Sequence, residues 1–251
     1  AHMDRGDGQG ERDVVYIGRY LCNSSYKSQT DTSKRLDIPR NSARTSIHKI
    51  GEEYWQFDYA TWWTINMLYV VEYADWNCQK VIGYGCASNS KTGYTDAMQY
   101  HTGTNKATRT EYGFTQYRNI EGLWDNPMNW VDGVVRDNHG LYITLDPNLF
   151  SDNKNNMTLV GTTPSTSGYI SSLEQSKTEN FEWVLYPNMT KGGNQTYIPD
   201  YMASAPSGDS CTCTGGWDHE QATGLFHYYV TSSGYSTSNY GCRLIKLPKT
   251  V

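Results

Sequence analysis

Apolar and polar positions follow two different rhythms along the chain. Between residues 58 and 76 the run DYATWWTINMLYVVEYADW places Trp62, Ile65, Leu68 and Tyr69 at helical spacing, and Met67, Val70 and Val71 fill other faces. A helix that is apolar nearly all round is one buried on several sides, and Asp58 stands where it can cap the first turn. Just before it, NSARTSIHKIG (41–51) predicts a shorter helix, with Asn41 or Ser42 as cap and Gly51 as stop. Beyond about residue 80 the rhythm changes. Turn-forming clusters such as GYG, NSKTGYTD, RDNHG, SDNKNN and KGGNQT arrive every few positions. Between them lie short runs of strand composition, LYITL (141–145), FEWVLYP (181–187) and RLIKL (243–247). DVVYIGRYLC (13–22) has the same character near the start, and 23–40 reads as polar loop. The pattern predicts an α+β fold: two early helices, then short antiparallel strands and long ordered loops. No internal repeat or linker interrupts it, so 13–251 reads as one domain.

Composition narrows the function classes. Among 251 residues there are 21 Tyr, 8 Trp and 23 Gly but 5 Phe, and charged residues make up 19%. Tyr and Trp offer apolar area with a polar handle, which suits half-exposed contact surfaces. The formal net charge is −5 and no basic stripe occurs, which argues against nucleic acid or an acidic membrane as partner. The most apolar stretch, from Trp62 to Tyr73, is too short to span a bilayer and contains Asn66 and Glu72, so membrane insertion is not expected. Ala1-His2-Met3 reads as a cloning scar. Residues 4–12 are polar and Gly-rich, and are expected to fray. They include Arg5-Gly6-Asp7, an integrin-type tripeptide short enough to recur by chance.

The reactive side chains form no recognisable catalytic set. The six cysteines (22, 78, 86, 211, 213 and 242) contain no CxxC pair, and their spacing is unlike a disulfide framework, so free thiols, disordered or buried, are expected. Cys211 and Cys213 would share one face of a strand, which makes a weak metal contact the alternative reading of this pair. His48, His101, His139, His219 and His227 show no HExxH spacing, and no GxSxG, P-loop or GxGxxG is present. Neither an enzyme activity, a cofactor nor a bound metal is expected.

The most specific string is NIEGLWDNPMNWVDG (119–133). It resembles the Gly-Leu-Trp signature of C-type lectin-like domains related to formylglycine-generating enzymes, in which two tryptophans pack in the core where the chain turns. Trp124 and Trp130 match them, while Pro127-Met128 replaces the usual bulky pair. GYTDAMQYHTGT (93–104) and EYGFTQYRNIEG (111–122) resemble members from phages and prophages of gut bacteria. The tail, 215–248, resembles the variable region of proteins diversified by retroelements. Its frame is Gly215-Gly216-Trp217, Gly224-Leu225-Phe226 and Gly241-Cys242-Arg243-Leu244, with Thr223 and Cys242 each standing for the family's Ala. A regular frame with assorted filling is the trace such diversification leaves in a protein.

The resemblance implies a C-type lectin-like fold and a ligand-binding protein. Its setting would be a phage tail tip on the virion, or an adhesin on a bacterial cell surface. Its partner would be a protein or glycan on a host or neighbouring cell. In a strand, His227, Tyr229 and Thr231 would face outward, alternating with Tyr228, Val230 and Ser232. The contact residues implied are Asp218, His219, Glu220, Gln221, His227, Tyr229, Thr231, Ser233, Tyr235, Thr237 and Asn239. Two alternatives fit less well. An oxidase of the formylglycine-generating type uses paired cysteines near the C-terminus, but DSCTCTGG around Cys211 and Cys213 does not match that segment. A calcium-dependent lectin needs Glu-Pro-Asn or Gln-Pro-Asp with Trp-Asn-Asp, and the WDN at 124–126 is only a rearrangement.

Overall fold

The computed structural model describes residues 1–86, 91–125, 127–216, 222–232 and 234–250, with backbone alone at 210, 211 and 213. The first half contains strand β1 (Tyr16–Ile17), helix α1 (Arg40–His48), β2 (Tyr54–Gln56), helix α2 (Tyr59–Tyr73), helix α3 (Cys78–Val81), β3 (Gly103–Thr104), β4 (Thr115–Tyr117) and β5 (Ile120–Glu121). The second half contains β6 (Met128–Asp137), β7 (Gly140–Ile143), β8 (Thr158–Thr162), β9 (Gly168–Gln175), β10 (Leu185–Lys191), β11 (Tyr201–Met202), β12 (Asp209–Thr214), β13 (Tyr229–Thr231), β14 (Tyr240–Gly241) and β15 (Leu244–Lys246). The architecture is mixed, with several small sheets and few helices, compatible with an α+β or mostly-β class.

Helix α2 sits where the pattern placed it. Asp58 accepts the Thr61 amide at 2.8 Å and so satisfies a first-turn donor. Ala74, at φ 50°, ends the helix in a left-handed residue. Trp62, Trp63, Ile65 and Tyr69 enter the core. It is buried on several sides, as expected, but not on all: Leu68 and Val71 face solvent at 43% and 83% exposure. Helix α1 begins one residue earlier than expected and stops at His48, three residues before Gly51. Neither Asn41 nor Ser42 caps it: Pro39 holds the cap position without a side-chain hydrogen bond. What fixes α1 is Arg40, fully buried, which donates to the carbonyls of Val131, Val134 and Ser151 and pairs with Asp152 at 3.0 Å. One turn later Arg44 grips both oxygens of buried Asp132, at 2.6 and 2.9 Å.

The largest sheet runs β13-β12-β6-β7-β8, with β14 joining β6 in parallel. Its spine, β6, is buried at nine of ten positions. A second sheet, β1-β15-β2, places the C-terminal strand between two N-terminal ones. Of DVVYIGRYLC only two residues form regular strand, but the chain continues beside the last strand through Gly18 N to Leu244 O at 2.9 Å and Cys22 N to Cys242 O at 2.8 Å. In FEWVLYP the strand starts only at Leu185, because Phe181 and Val184 reach the core from a turn, Val184 N bonding Phe181 O at 3.0 Å. Residues 4–12 are anchored rather than frayed. Buried Arg5 pairs with Asp58 at 2.5 Å, and Arg12 pairs with Asp7 and donates to Pro248 O at 3.1 Å. Arg5-Gly6-Asp7 therefore does not present its charges as a recognition tripeptide.

Trp124 and Trp130 are both buried, at 1% and 0% exposure. Trp124 lies in the main core and donates to Gly83 O at 3.1 Å. Trp130 forms a separate cluster with Met128 and Tyr240 and donates to Ile38 O at 2.8 Å. That second cluster lies under the tail.

Candidate binding surface

The tail frame is held by the rest of the molecule through its backbone. Gly215 and Gly216 take φ values of 82° and 118°, open mainly to glycine. At the second frame element the chain makes a turn, His227 N bonding Gly224 O at 3.2 Å. Three side chains clamp it. Asp200 accepts Phe226 N at 2.8 Å, Cys78 Sγ accepts Leu225 N at 3.2 Å, and Asn66 Nδ2 donates to Leu225 O at 3.0 Å. The side chains of Leu225 and Phe226 are fully inside. At the third element Arg243 is wholly buried and donates to the carbonyls of Gly18, Arg19 and Glu121 at 2.6 to 2.8 Å. Burial lowers its guanidinium to about 10. Cys242 and Cys22 lie in one small buried cluster with Ile38, Ala43 and Ile47.

Asp200 carries an electrostatic cost in doing this. It is buried, its side chain bonded among the described residues by the Phe226 amide and a long 3.5 Å contact from Gln79 Nε2, and desolvation pushes its carboxyl up to about 7. Burial likewise raises Asp125 to about 7, although Thr115 N, Thr115 Oγ1 and Cys86 N donate to it.

The filling between frame elements behaves differently. On β13, Tyr229 and Thr231 are half-exposed while Val230 between them is buried, so the expected alternation holds over these three residues; it ends at Ser232, expected inward but exposed just past the strand. Strand β13 pairs with β12 in the register Thr231 to Cys211 and Tyr229 to Cys213. The return segment keeps its main chain tied. Asp37 N donates to Thr237 O at 3.2 Å, and Met128 N donates to Asn239 O at 2.8 Å. Tyr235 stands 46% exposed, and Thr237 and Asn239 are half-exposed. The Tyr235 ring meets Tyr240 edge-on at 5.4 Å, and Tyr240 stacks on Trp130 at 4.8 Å. Tyr229 packs against the same Met128, Trp130 and Tyr240 cluster. Five of the expected contact residues, Tyr229, Thr231, Tyr235, Thr237 and Asn239, thus lie on β13 and the segment returning from it, the two tyrosines flanking a rigid aromatic base.

His227 does not belong with them. It is fully buried, because the 224–227 turn delays the extended strand until after it and sends its ring beneath the surface, 6.3 Å from Tyr229. Asp218, His219, Glu220, Gln221 and Ser233 lie outside the described residues. The aromatic base of Tyr240 and Trp130 was not among the expected contact residues. Trp130 carries a sequence signal as a signature tryptophan expected in the core, and Tyr240 only as the residue directly before Gly241 of the frame. The clamps Asp200, Cys78 and Asn66 are distant in sequence; Asn66 stood out as a polar residue in an apolar helix and Cys78 as an expected free thiol, but neither as a clamp of the tail.

Among the described residues no three His, Cys, Asp or Glu side chains converge as a metal site. No helix among them is long and apolar enough to cross a membrane. Comparison of the chain with protein-family models gives no match, and comparison with curated proteins gives none either.

Proposed function

We propose that this chain is a ligand-binding protein of C-type lectin-like fold whose C-terminal surface is diversified by a retroelement, acting at a phage tail tip or on a bacterial cell surface. The observation that carries the reading is the division of labour within the tail. The described frame residues from Gly215 to Arg243 are buried or clamped through their backbone, while Thr231, Tyr235, Thr237 and Asn239 reach solvent from fixed main chain. Side chains that can vary without disturbing the fold are what a diversified contact surface requires. Tyr rings supply contact area at low entropic cost, and Thr, Ser and Asn supply adaptable hydrogen bonds. The partner on this reading is a protein or glycan on a host or neighbouring cell, recognised without a metal.

Two measurements test it. Sequencing around the gene should find a reverse transcriptase and a near-copy of the codons for 217–244 altered at adenines. No such repeat would remove the diversification. Binding of the chain to intact host cells should survive EDTA and fall about tenfold on Tyr235→Ala. Loss of binding on chelation, with the fold intact, would favour a calcium-dependent lectin instead.

A further inference from the structure

Away from the tail, two adjoining clefts open beside α3. One, of about 620 Å³, lies between α3 and the 191–199 segment. The other, of about 510 Å³, lies between α3 and residues 107–110. Both are walled by Gln79, Lys80 and Tyr84, so together they form one trough. Each volume is in the range of small-ligand sites, roughly 300–1,000 Å³. None of the described lining residues belongs to the 215–248 tail.

The walls have a definite chemistry. Pro199 and Ala107 are the only aliphatic contributions among the described lining residues. Two tyrosines supply ring faces. Tyr84 is held at 5.6 Å from Tyr112, and Tyr197 stands 86% exposed at the rim. Amides come from Asn77, Asn194 and Gln195. Ser171 Oγ, shielded from solvent in the first cleft, has no hydrogen-bond partner among the described residues.

The charge is one-sided. Lys80, Lys191 and Arg109 line the trough, and no Asp or Glu does among the described residues. This occurs on a chain with 26 acidic and 21 basic residues. Lys191 and Arg109 form no ion pair among the described residues. Lys80 reaches Asp75 at 3.5 Å, with its own side chain 74% exposed. Asp200 lies behind Gln79, buried and away from the opening. Glu111 is engaged by Thr108 at 2.9 Å.

Ring faces, amides and hydroxyls suit a polyhydroxylated chain, and unopposed cations suit a carboxylate on it. A nucleic acid strand would call for a longer basic track, and a peptide would call for apolar pockets. We infer that the trough between α3, the 191–199 segment and residues 107–110 is a binding site for an acidic oligosaccharide. Its sugar rings lie against Tyr84 and Tyr197, and its acidic groups lie toward Lys191 in the first cleft or Arg109 in the second. The inference is independent of the tail surface.

Calorimetric titration of the full chain with trigalacturonate and with sialyllactose tests it, against maltotriose and lactose as neutral counterparts. At least one acidic sugar should bind about tenfold or more tighter than its neutral counterpart, and more weakly at high salt. Lys191→Ala and Tyr197→Ala, both at exposed positions, should each weaken that binding by about tenfold with the melting temperature unchanged, while Tyr235→Ala should leave it as it was. Equal binding of acidic and neutral sugars would overturn the inference. So would binding that ignores both trough variants, or no binding of either acidic probe.

Discussion

Gly224 shows how a single frame residue is constrained. Its φ is not in the left-handed region, so the constraint is space. A Cβ there would overlap the Asp200 carboxyl group, 2.8 Å from its Cγ. Gly224→Ala must push Asp200 away from the Phe226 amide, and overpacking of this kind costs about 1–3 kcal/mol. At Gly241 a Cβ would meet Pro127 Cγ at 3.1 Å and Arg35 O at 3.4 Å, so Gly241→Ala should cost less. Urea unfolding of the two variants checks the order. Asp200 itself yields a pH prediction. Folded, it keeps its proton up to about 7, whereas an unfolded Asp loses it near ~3.9. The folded state therefore binds more protons between those values, and the Asp200 contribution to stability falls as pH rises through that window. Asp200→Asn cannot titrate, while Asp125 titrates in both proteins and cancels. The stability of wild type relative to Asp200→Asn should decline from pH 4 to pH 7 and level off above. A difference that stays flat across that range would mean the carboxyl is not desolvated as described.

The elements that were legible in the sequence are those with a strong local signal. Helix α2 announced itself by an apolar run and a capping Asp58, and both hold. Helix α1 was legible as an element but not in its cause, because Arg40 and Arg44 find their partners about 90 to 110 residues away, in β6 and the 151–152 loop. No local pattern encodes that. Strand β13 was legible for Tyr229 to Thr231, where alternation is real, and failed on both sides: at His227, where a hydrogen-bonded turn overrides it, and at Ser232, exposed where the strand has ended. The mutational consequence separates the two. Tyr235→Ala, at a 46% exposed ring, should change stability by less than about 0.5 kcal/mol. His227→Ala opens space in a closed site and should cost more than 1 kcal/mol, by the lower end of what core truncation removes (~1–3). Trp130→Ala removes the floor beneath Tyr240 and should cost about 3–5 kcal/mol. Thermal unfolding of the three reads all of this at once. If His227→Ala proves as harmless as Tyr235→Ala, the ring is not packed as the turn implies.

At the scale of the whole molecule, the tail is a span between two fixed ends. It enters through β12 on the largest sheet and leaves through β15, held between β1 and β2. Neither pairing was visible in the sequence, since RLIKL could have met any strand, yet both decide what the tail can tolerate. Because the span is tied by main-chain bonds at Thr237 O, Asn239 O and Tyr240 O, its exposed side chains contribute little to holding it. Simultaneous replacement of Thr231, Ser232, Tyr235, Thr237 and Asn239 by Ala should therefore be survivable. At a few tenths of a kcal/mol each, the total should stay below about 2.5 kcal/mol, less than Trp130→Ala alone. Separated surface positions add in this way unless they share a partner. Thr237 and Asn239 do share one weak bond, Asn239 N to Thr237 Oγ1 at 3.3 Å, too long to alter the sum much. The five-site variant should fold cooperatively, keep its affinity for an acidic sugar in the α3 trough, and lose binding to host cells. If it unfolds instead, the filling is structural after all, and a surface that cannot lose five side chains could not have been diversified.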